Sequence, residues 1–131
     1  MNYDKNVIGK TLTEKYGIDS NFKIFRYAYR NDWKEAEARF IVKFQLKKMN
    51  VNANKLFSNI PKIVLFHFKG FKAKYWLCNE KTNECMGVYH WATYDDAKRY
   101  SESIAMRFMK KRSVPGSVKF EIIKEENADK D

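Results

Sequence analysis

The fold is decided by residues 71–123, which read FKAKYWLCNEKTNECMGVYHWATYDDAKRYSESIAMRFMKKRSVPGSVKFEII. Residues 71–78 and 85–91 each alternate between two sets of side chains, as a β-strand requires. Thr93 followed three residues later by Asp96 is a helix-capping signature, and Pro115-Gly116 is typical of a turn. The stretch therefore predicts strand, loop, strand, helix, turn and strand.

A further strand and helix precede this stretch. Residues 38–46 alternate with a period of two and predict a half-buried strand. A helix with apolar positions Leu56, Phe57 and Ile60 follows, and Pro61 interrupts it. The resulting order is βαββαβ, which predicts an α+β, ferredoxin-like fold with a four-stranded antiparallel sheet and both helices on one face.

The predicted domain covers residues 38–124. Before it, residues 1–37 form an N-terminal extension with a helix over about 21–34, because aromatic residues recur there at steps of three and four: Phe22, Phe25, Tyr29 and Trp33. This aromatic stripe packs on the domain or on a partner subunit, with a membrane-surface helix as the alternative. Residues 125–131 are expected to be a disordered acidic tail.

Composition and charge limit the class of protein. The chain has 131 residues, of which 44% are hydrophobic, and this indicates one globular domain. No apolar run approaches the roughly 20 residues of a membrane span, and the first residues lack an apolar signal core, so we expect a cytoplasmic protein with no membrane span.

The net charge is +10, with nine basic residues and one acidic residue between positions 36 and 78. This excess of positive charge suits an anionic ligand, nucleic acid or an acidic membrane surface. The alternative is a solvated basic surface with no binding role.

Two cysteines flank the loop at residues 79–84. If this loop closes a hairpin symmetrically, Cys78 and Cys85 oppose each other on neighbouring strands, near enough to form a disulfide after modest adjustment. In a reducing cytoplasm they would stay thiols. The chain contains no CxxC, HExxH or His/Cys cluster, so no metal site is predicted.

The sheet face away from the predicted helices needs a cover. The large apolar residues expected on this face are Ile41, Trp76, Tyr89 and Trp91. If the register differs, their neighbours one position along each strand would take their place. A face of this kind is too apolar to be left in water, and a second subunit is the simplest cover. We therefore expect a homodimer.

Three short segments resemble a known family. The strand Lys74-Tyr75-Trp76-Leu77, the loop at 79–84 and the strand at 87–91 resemble the monooxygenase family typified by YdhR, within the antibiotic-biosynthesis-monooxygenase-like dimeric α/β barrels. Residues 113–118 look like the turn into the last strand in one branch of that group. The resemblance covers about residues 38–124.

The resemblance implies a homodimeric α/β barrel with a small-molecule cavity. The wider superfamily includes oxygenases that use no metal or flavin, haem-degrading and chlorite-converting enzymes, isomerases and ligand sensors, and the fold alone does not choose among them. No cofactor is predicted, and haem is left open.

Oxygenation without a cofactor needs a base that forms the substrate anion. His90 and His67 are the side chains whose ordinary pKa lies near neutrality, so they are the candidate catalytic residues, with His90 preferred. The alternative for each is a structural histidine bonded to the backbone.

A ligand-binding surface is predicted beside these histidines. With Cys78 opposite Cys85, Trp76 pairs with Gly87, Lys74 with Tyr89, and Lys72 with Trp91. Aromatic rings beside lysines suit a planar anionic ligand. The candidate ligand-binding residues are Trp76, Tyr89, Trp91, Tyr75 and Lys74. A register slip of one residue would move the set to the other face, and packing in a dimer interface or barrel core is the alternative role.

These observations predict a protein that binds a small aromatic or anionic molecule, as a cofactor-independent monooxygenase. The first alternative is a non-catalytic ligand-binding or stress-related module of the same fold. The second is a nucleic-acid-binding protein that uses the basic aromatic sheet, and it is the least favoured because the chain lacks the RNA-recognition signature.

Overall fold

The computed structural model describes residues 2–3, 5–45, 47 and 68–125. The predicted helix between residues 50 and 68 lies almost wholly outside this part of the chain. The described strands are β1 (Asn2–Tyr3), β2 (Lys23–Tyr29), β3 (Ala38–Phe44), β4 (Phe71–Asn79), β5 (Glu84–Trp91) and β6 (Lys119–Lys124). The described α-helices are α1 (Thr13–Tyr16), α2 (Tyr94–Ser101) and α3 (Ile104–Arg112), and short 3-10 helices span Lys5–Val7 and Trp33–Glu35.

All six described strands belong to one antiparallel sheet in the order β1-β2-β4-β5-β3-β6. The run β4-β5-β3-β6 is the predicted ferredoxin-like sheet, with the first and last strands of the βαββαβ unit side by side. Strands β1 and β2 extend the sheet beyond the edge of β4, and the sequence did not predict them.

The β4–β5 hairpin has the register expected from its loop. Cys78 lies opposite Cys85, Trp76 opposite Gly87, and Lys74 opposite Tyr89. The side-chain oxygen of Asn79 accepts a hydrogen bond from the backbone N–H of Lys81 at 2.9 Å and so closes the turn. Both cysteines are buried and are not joined in a disulfide.

One pair of this hairpin differs from the prediction. An irregularity between Phe71 and Ala73 places Phe71, rather than Lys72, opposite Trp91. A bulge of this kind adds a residue to one strand and shifts the side chains that follow it. The expected pairing of Lys72 with Trp91 is therefore wrong.

The helix predicted over residues 21–34 is also wrong, because the chain forms β2 there. A β-bulge between Ile24 and Arg26 leaves Phe25 as an extra residue, so the strict alternation of a strand is lost. Phe25 packs against the apolar cluster on one face of the sheet, whereas Phe22 and Tyr29 lie in the cluster on the other face, so the aromatic residues do not form one stripe.

The second predicted helix divides in two. The side chain of Ser103 accepts a hydrogen bond from the backbone N–H of Met106 at 3.4 Å and starts α3 as a new helix. The break changes the helical phase. Met106 is fully buried, whereas Ile104 and Phe108 are 76% and 57% exposed.

Two apolar clusters lie on opposite sides of the sheet. Helices α2 and α3 cover the first side, here called the helix face, whose central residues are Phe40, Trp76, Tyr89 and Trp91. The opposite side, here called the N-terminal face, is centred on Tyr75, Leu77 and Val88.

The N-terminal face is covered by the chain itself. Residues 5–22, here called the N-terminal segment, pack Leu12, Ile18 and Phe22 against this face, and all three are buried. Trp76, Tyr89 and Trp91, expected on the uncovered side, lie on the helix face instead. The N-terminal face is thus covered without a second subunit, contrary to the expectation from the sequence. None of the described helices is long and apolar enough to cross a membrane.

Replacement of Leu12 by alanine tests this cover. Leu12 is 5% exposed within the cluster of the N-terminal face, so Leu12→Ala should lower the free energy of unfolding by about 3 kcal/mol. Ile8 lies in the same segment but is 45% exposed, so Ile8→Ala should change it by less than about 0.5 kcal/mol. Urea unfolding of the full chain measures both, and equal effects of the two substitutions would contradict the packing.

Candidate functional site

Lys74 places its side-chain amine in the interior of the helix face. It lies in β4, between β2 and β5, and pairs with Ala28 on one side and Tyr89 on the other. Its Nζ is 4.3 Å from the ring centroid of Tyr89 and 4.5 Å from that of Trp76, and the residue is only 4% exposed. The amine therefore sits between two aromatic rings.

The Lys74 amine has no opposite charge beside it in the described part of the chain. No described residue makes an ion pair or a hydrogen bond with its Nζ, and the other charge that acts on it is the guanidinium of Arg26, which lies 5.8 Å from the centre of the Trp76 ring. Burial, and to a lesser degree the positive charge of Arg26, hold the pKa of Lys74 well below its usual range. Each desolvated contact with an aromatic ring stabilises an ammonium by about 2 kcal/mol, whereas burying an ion costs several kcal/mol. Burial therefore shifts the protonation equilibrium of Lys74 towards the neutral amine.

Gly87 leaves the room that this arrangement needs. A Cβ atom at position 87 would lie 2.6 Å from Cε1 of Tyr89 and 3.2 Å from Cε of Lys74. The Tyr89 ring and the Lys74 chain therefore both pass closely over the Gly87 backbone, which only the absence of a side chain allows.

The Tyr89 ring beside the amine also belongs to a cluster with a second phenol, Tyr100, and the indole of Trp91. The hydroxyls of Tyr89 and Tyr100 are 3.1 Å apart, and burial raises the pKa of both groups, that of Tyr100 to about 12. The ring of Trp91 stacks with Tyr89 and lies 5.0 Å from Tyr100, centroid to centroid. Its buried Nε1–H has no hydrogen-bond acceptor among the described residues. Around neutral pH these groups are hydrogen-bond donors.

A second polar cluster lies on the N-terminal face around His90. The His90 ring is fully buried, with Nδ1 3.1 Å from Oε1 of Glu125 and Nε2 2.9 Å from the hydroxyl of Tyr16. The guanidinium of Arg39 lies 3.5 Å from Oε2 of Glu125 and 4.1 Å from the centre of the Tyr16 ring. Lys15 lies over the rings of Tyr16 and Trp33.

The partners of His90 define its protonation. An ionised Glu125 can only accept, so Nδ1 of His90 donates to it, and Nε2 then accepts from the hydroxyl of Tyr16. Burial lowers the pKa of His90 and outweighs the opposite effect of Glu125, so the ring is neutral. Burial, reinforced by Glu125, raises the pKa of Tyr16. Both ring nitrogens of His90 are thus engaged within the protein.

The sequence-predicted site residues fall into separate places. Lys74, Trp76, Tyr89 and Trp91 come together on the helix face, whereas His90 lies on the opposite side of the sheet. Tyr75 is also on the N-terminal face, where its ring stacks on Tyr27 with centroids 4.0 Å apart. His67 lies outside the described residues.

Several residues of these clusters were not predicted as site residues: Tyr16, Arg26, Arg39 and Glu125. Glu125 is 7% exposed and donates its backbone N–H to Glu37 at 2.8 Å, although the sequence placed it in the disordered tail. Tyr16 meets His90 across 74 positions of sequence, a separation that no local pattern reveals. Within the described ranges, no three His, Cys, Asp or Glu side chains group as metal ligands would.

Comparison with solved structures identifies the fold. A ferredoxin-fold protein related to antibiotic biosynthesis monooxygenases, from Listeria monocytogenes 4b F2365, aligns with a TM-score of 0.64 at 6% identity, over 80% of this chain and 64% of that one. A monooxygenase-like protein from Listeria innocua gives a TM-score of 0.63 at 9% identity, with the same coverage. An anthrone oxidase-like protein gives 0.55 at 8% identity, over 79% of this chain and 53% of that one.

Because the identities are very low, these likenesses show the fold alone. They agree with the ferredoxin-like fold predicted from the sequence, and membership of the YdhR-like family stays a prediction. The chain spans less than two thirds of the length of each of these proteins. No protein-family model and no curated protein sequence matches it.

The buried neutral His90 predicts loss of stability in mild acid. Below its unfolded pKa of 6.5, the unfolded chain binds a proton at His90 that the folded chain does not, so stability falls as the pH falls until the folded pKa is reached. The slope should reach at most about 1.4 kcal/mol per pH unit. Urea unfolding between pH 5 and 8 measures it, and His90→Gln should be less stable but lack this slope. An identical slope in His90→Gln would contradict the assignment.

Proposed function

We propose that the chain binds a small planar organic anion on the helix face, with the protonated Lys74 as its counter-charge. The observation that supports this proposal is a buried amine between two aromatic rings with no anionic partner among the described residues. Buried lysines are normally paired, so an unpaired one points to a ligand that supplies the missing charge.

The groups around Lys74 suit such a ligand. An anion beside the amine favours its protonated form and raises its pKa again, so that ligand and lysine form an ion pair of low solvent exposure. The Trp76 and Tyr89 rings offer faces on which a planar molecule can stack. The Tyr89–Tyr100 hydroxyl pair can supply a further hydrogen-bond donor.

The reaction we propose is oxygenation of an electron-rich aromatic substrate by molecular oxygen, without metal or flavin. The support comes from the fold shared with a monooxygenase-like and an anthrone oxidase-like protein. The second candidate is a binding module of the same fold without catalysis. Oxygen uptake with a polyphenol or quinol distinguishes the two. His90 as the base remains a prediction, and its place on the far side of the sheet favours a structural role.

A nucleic-acid-binding role has less support. Base stacking needs accessible aromatic rings, but Trp76 is 5% exposed and Tyr89 and Trp91 are fully buried. A sheet covered on both faces offers no stacking platform at these residues.

We also propose a homodimer, but with its contact at a different surface from the one expected from the sequence. Because the N-terminal segment occupies the N-terminal face, two copies would meet elsewhere. Ile104, Phe108 and Phe120 are exposed apolar side chains on α3 and β6 that such a contact would bury.

The proposal predicts lysine-dependent binding of 2-naphthoate, a planar carboxylate. Binding should quench tryptophan fluorescence, since Trp76 lies at the site, and Lys74→Met should weaken affinity at least about tenfold through loss of the charge-assisted contact. Lys72→Met is the matched control, because Lys72 pairs with Asp32 instead and should leave the affinity unchanged. Equal affinity in Lys74→Met and wild type would contradict the proposal.

A further inference from the structure

We propose that the outer side of helix α3 docks on an anionic lipid membrane. Docking of this kind is independent of the ligand site at Lys74, because it uses the side of α3 that faces away from the sheet. The surface, here called the α3 patch, combines exposed apolar side chains with exposed basic ones: Ile104, Arg107, Phe108, Lys111, Arg112 and Phe120.

Helix α3 is apolar on two sides. Its inner side packs on the helix face through Met106, which is fully buried, and Met109. Ile104 and Phe108 are each two residues away from Met106 and therefore point to the opposite, outer side. They are one helical turn apart and are 76% and 57% exposed, and Phe120 of β6 is 42% exposed. Apolar side chains left in water on a helix that is already packed indicate a partner that removes them from water.

The stretch that carries the α3 patch is strongly basic. Residues 103–120 contain five basic residues and no acidic residue. Within the part of the chain that the structure describes, none of these five forms an ion pair. Exposed Lys47 adds to them, because its backbone N–H donates to the carbonyl oxygen of Arg112 at 2.9 Å. The positive charge is therefore uncompensated and attracts an anionic surface.

Two of the cations lie beside the exposed aromatic rings. The guanidinium carbon of Arg112 is 5.1 Å from the centre of the Phe108 ring, and Nζ of Lys110 is 5.7 Å from the centre of the Phe120 ring. Long basic side chains can keep their charge in the headgroup layer while an apolar group enters the lipid boundary. Each ring that enters the membrane would therefore carry a cation to the level of the lipid phosphates.

An anionic membrane supplies both kinds of contact that the α3 patch needs. Its headgroups carry negative charge, and its acyl boundary takes up apolar side chains. A nucleic acid would neutralise the basic residues and can stack on Phe108, but it offers nothing to the aliphatic side chain of Ile104. An acidic protein would need a groove that fits the outer side of α3, whereas a bilayer adapts to it. The membrane is therefore the favoured occupant.

A second copy of the chain competes for the same side chains. The dimer contact proposed above would bury Ile104, Phe108 and Phe120, but it would also bring the basic residues of two α3 helices together. Salt screens this repulsion and should strengthen self-association, whereas it should weaken attraction to anionic lipid. The two contacts exclude each other, so the chain should bind the membrane as a single copy.

The test measures co-sedimentation of the full chain with vesicles of phosphatidylcholine, with or without phosphatidylserine. The vesicles that contain phosphatidylserine should bind the chain at least about tenfold more tightly, because each basic side chain at an anionic surface contributes about fivefold. Added salt should weaken this binding. Equal binding to both kinds of vesicle would overturn the proposal.

Charge reversal separates the α3 patch from the overall positive charge. The double substitution Arg107→Glu with Lys111→Glu should lower the partition coefficient at least about tenfold. Lys5→Glu with Lys10→Glu is the matched control, because it makes the same change of net charge at exposed positions of the N-terminal segment, on the other side of the sheet. Screening over that distance should keep its effect below about threefold. Equal losses in the two variants would overturn the assignment of the docking surface.

Apolar substitutions test entry into the lipid boundary. Ile104→Ser with Phe108→Ser should lower the partition coefficient at least about tenfold, because two side chains are no longer removed from water. Ile8→Ser, at a position that is 45% exposed on the N-terminal segment, should leave it unchanged. All these side chains are exposed, so the circular dichroism and the unfolding midpoint should stay those of the wild type.

The remaining outcomes assign the α3 patch to another occupant. If Ile104→Ser with Phe108→Ser binds vesicles as the wild type does, only general electrostatic attraction remains, and the proposal is overturned. If no vesicle binds and the same substitutions abolish self-association in sedimentation velocity, the surface belongs to a second copy. If a single-stranded oligonucleotide binds instead, and only the charge reversal at Arg107 and Lys111 weakens it, the partner is a nucleic acid.

Discussion

The pairing of β4 with β5 determines where every candidate functional group lies. With Cys78 opposite Cys85, the alternation of the two strands sends Lys74, Trp76 and Tyr89 to the helix face and His90 to the N-terminal face. A slip of one residue would exchange the two sets. The six-residue connection between the cysteines and the hydrogen bonds of Asn79 hold the register, so the chemistry of both faces follows from one turn.

The buried ionisable groups of the two faces differ in their hydrogen-bond partners. His90 is satisfied on both sides, by Glu125 and by Tyr16, and these contacts join the N-terminal segment to the end of β6. Lys74 has aromatic rings and a like charge around it, but no acceptor among the described residues. A fully bonded group stabilises the fold, whereas an unpaired one lowers stability unless a ligand completes it. This contrast is the reason why the site is placed at Lys74 rather than at His90.

The sequence predicts the hairpin and the Lys74 cluster because both depend on local spacing. The loop is symmetric about the two cysteines, and register then follows by counting from Cys78 to Lys74. The N-terminal helix was wrong because the bulge at Phe25 breaks the period of two. Aromatic residues favour strands, and this propensity was the signal that pointed the other way.

Local sequence patterns did not predict the contacts between distant parts of the chain. The meeting of Tyr16, His90 and Glu125 depends on how the N-terminal segment crosses the sheet. The exposure of Ile104 depends on the phase change at Ser103, where a serine competes with helix continuation through its side chain. In both cases tertiary packing chose among several locally acceptable conformations.

The protonation of Lys74 in the empty protein is the most direct test of this account. NMR titration of the lysine Cε–Hε signals, with Lys74 assigned from the signal missing in Lys74→Arg, reports its pKa. The account predicts a midpoint well below the ordinary value of 10.5, because the amine is buried without an opposite charge. A midpoint at or above that value would show that the amine is hydrated or already paired, and would contradict the account.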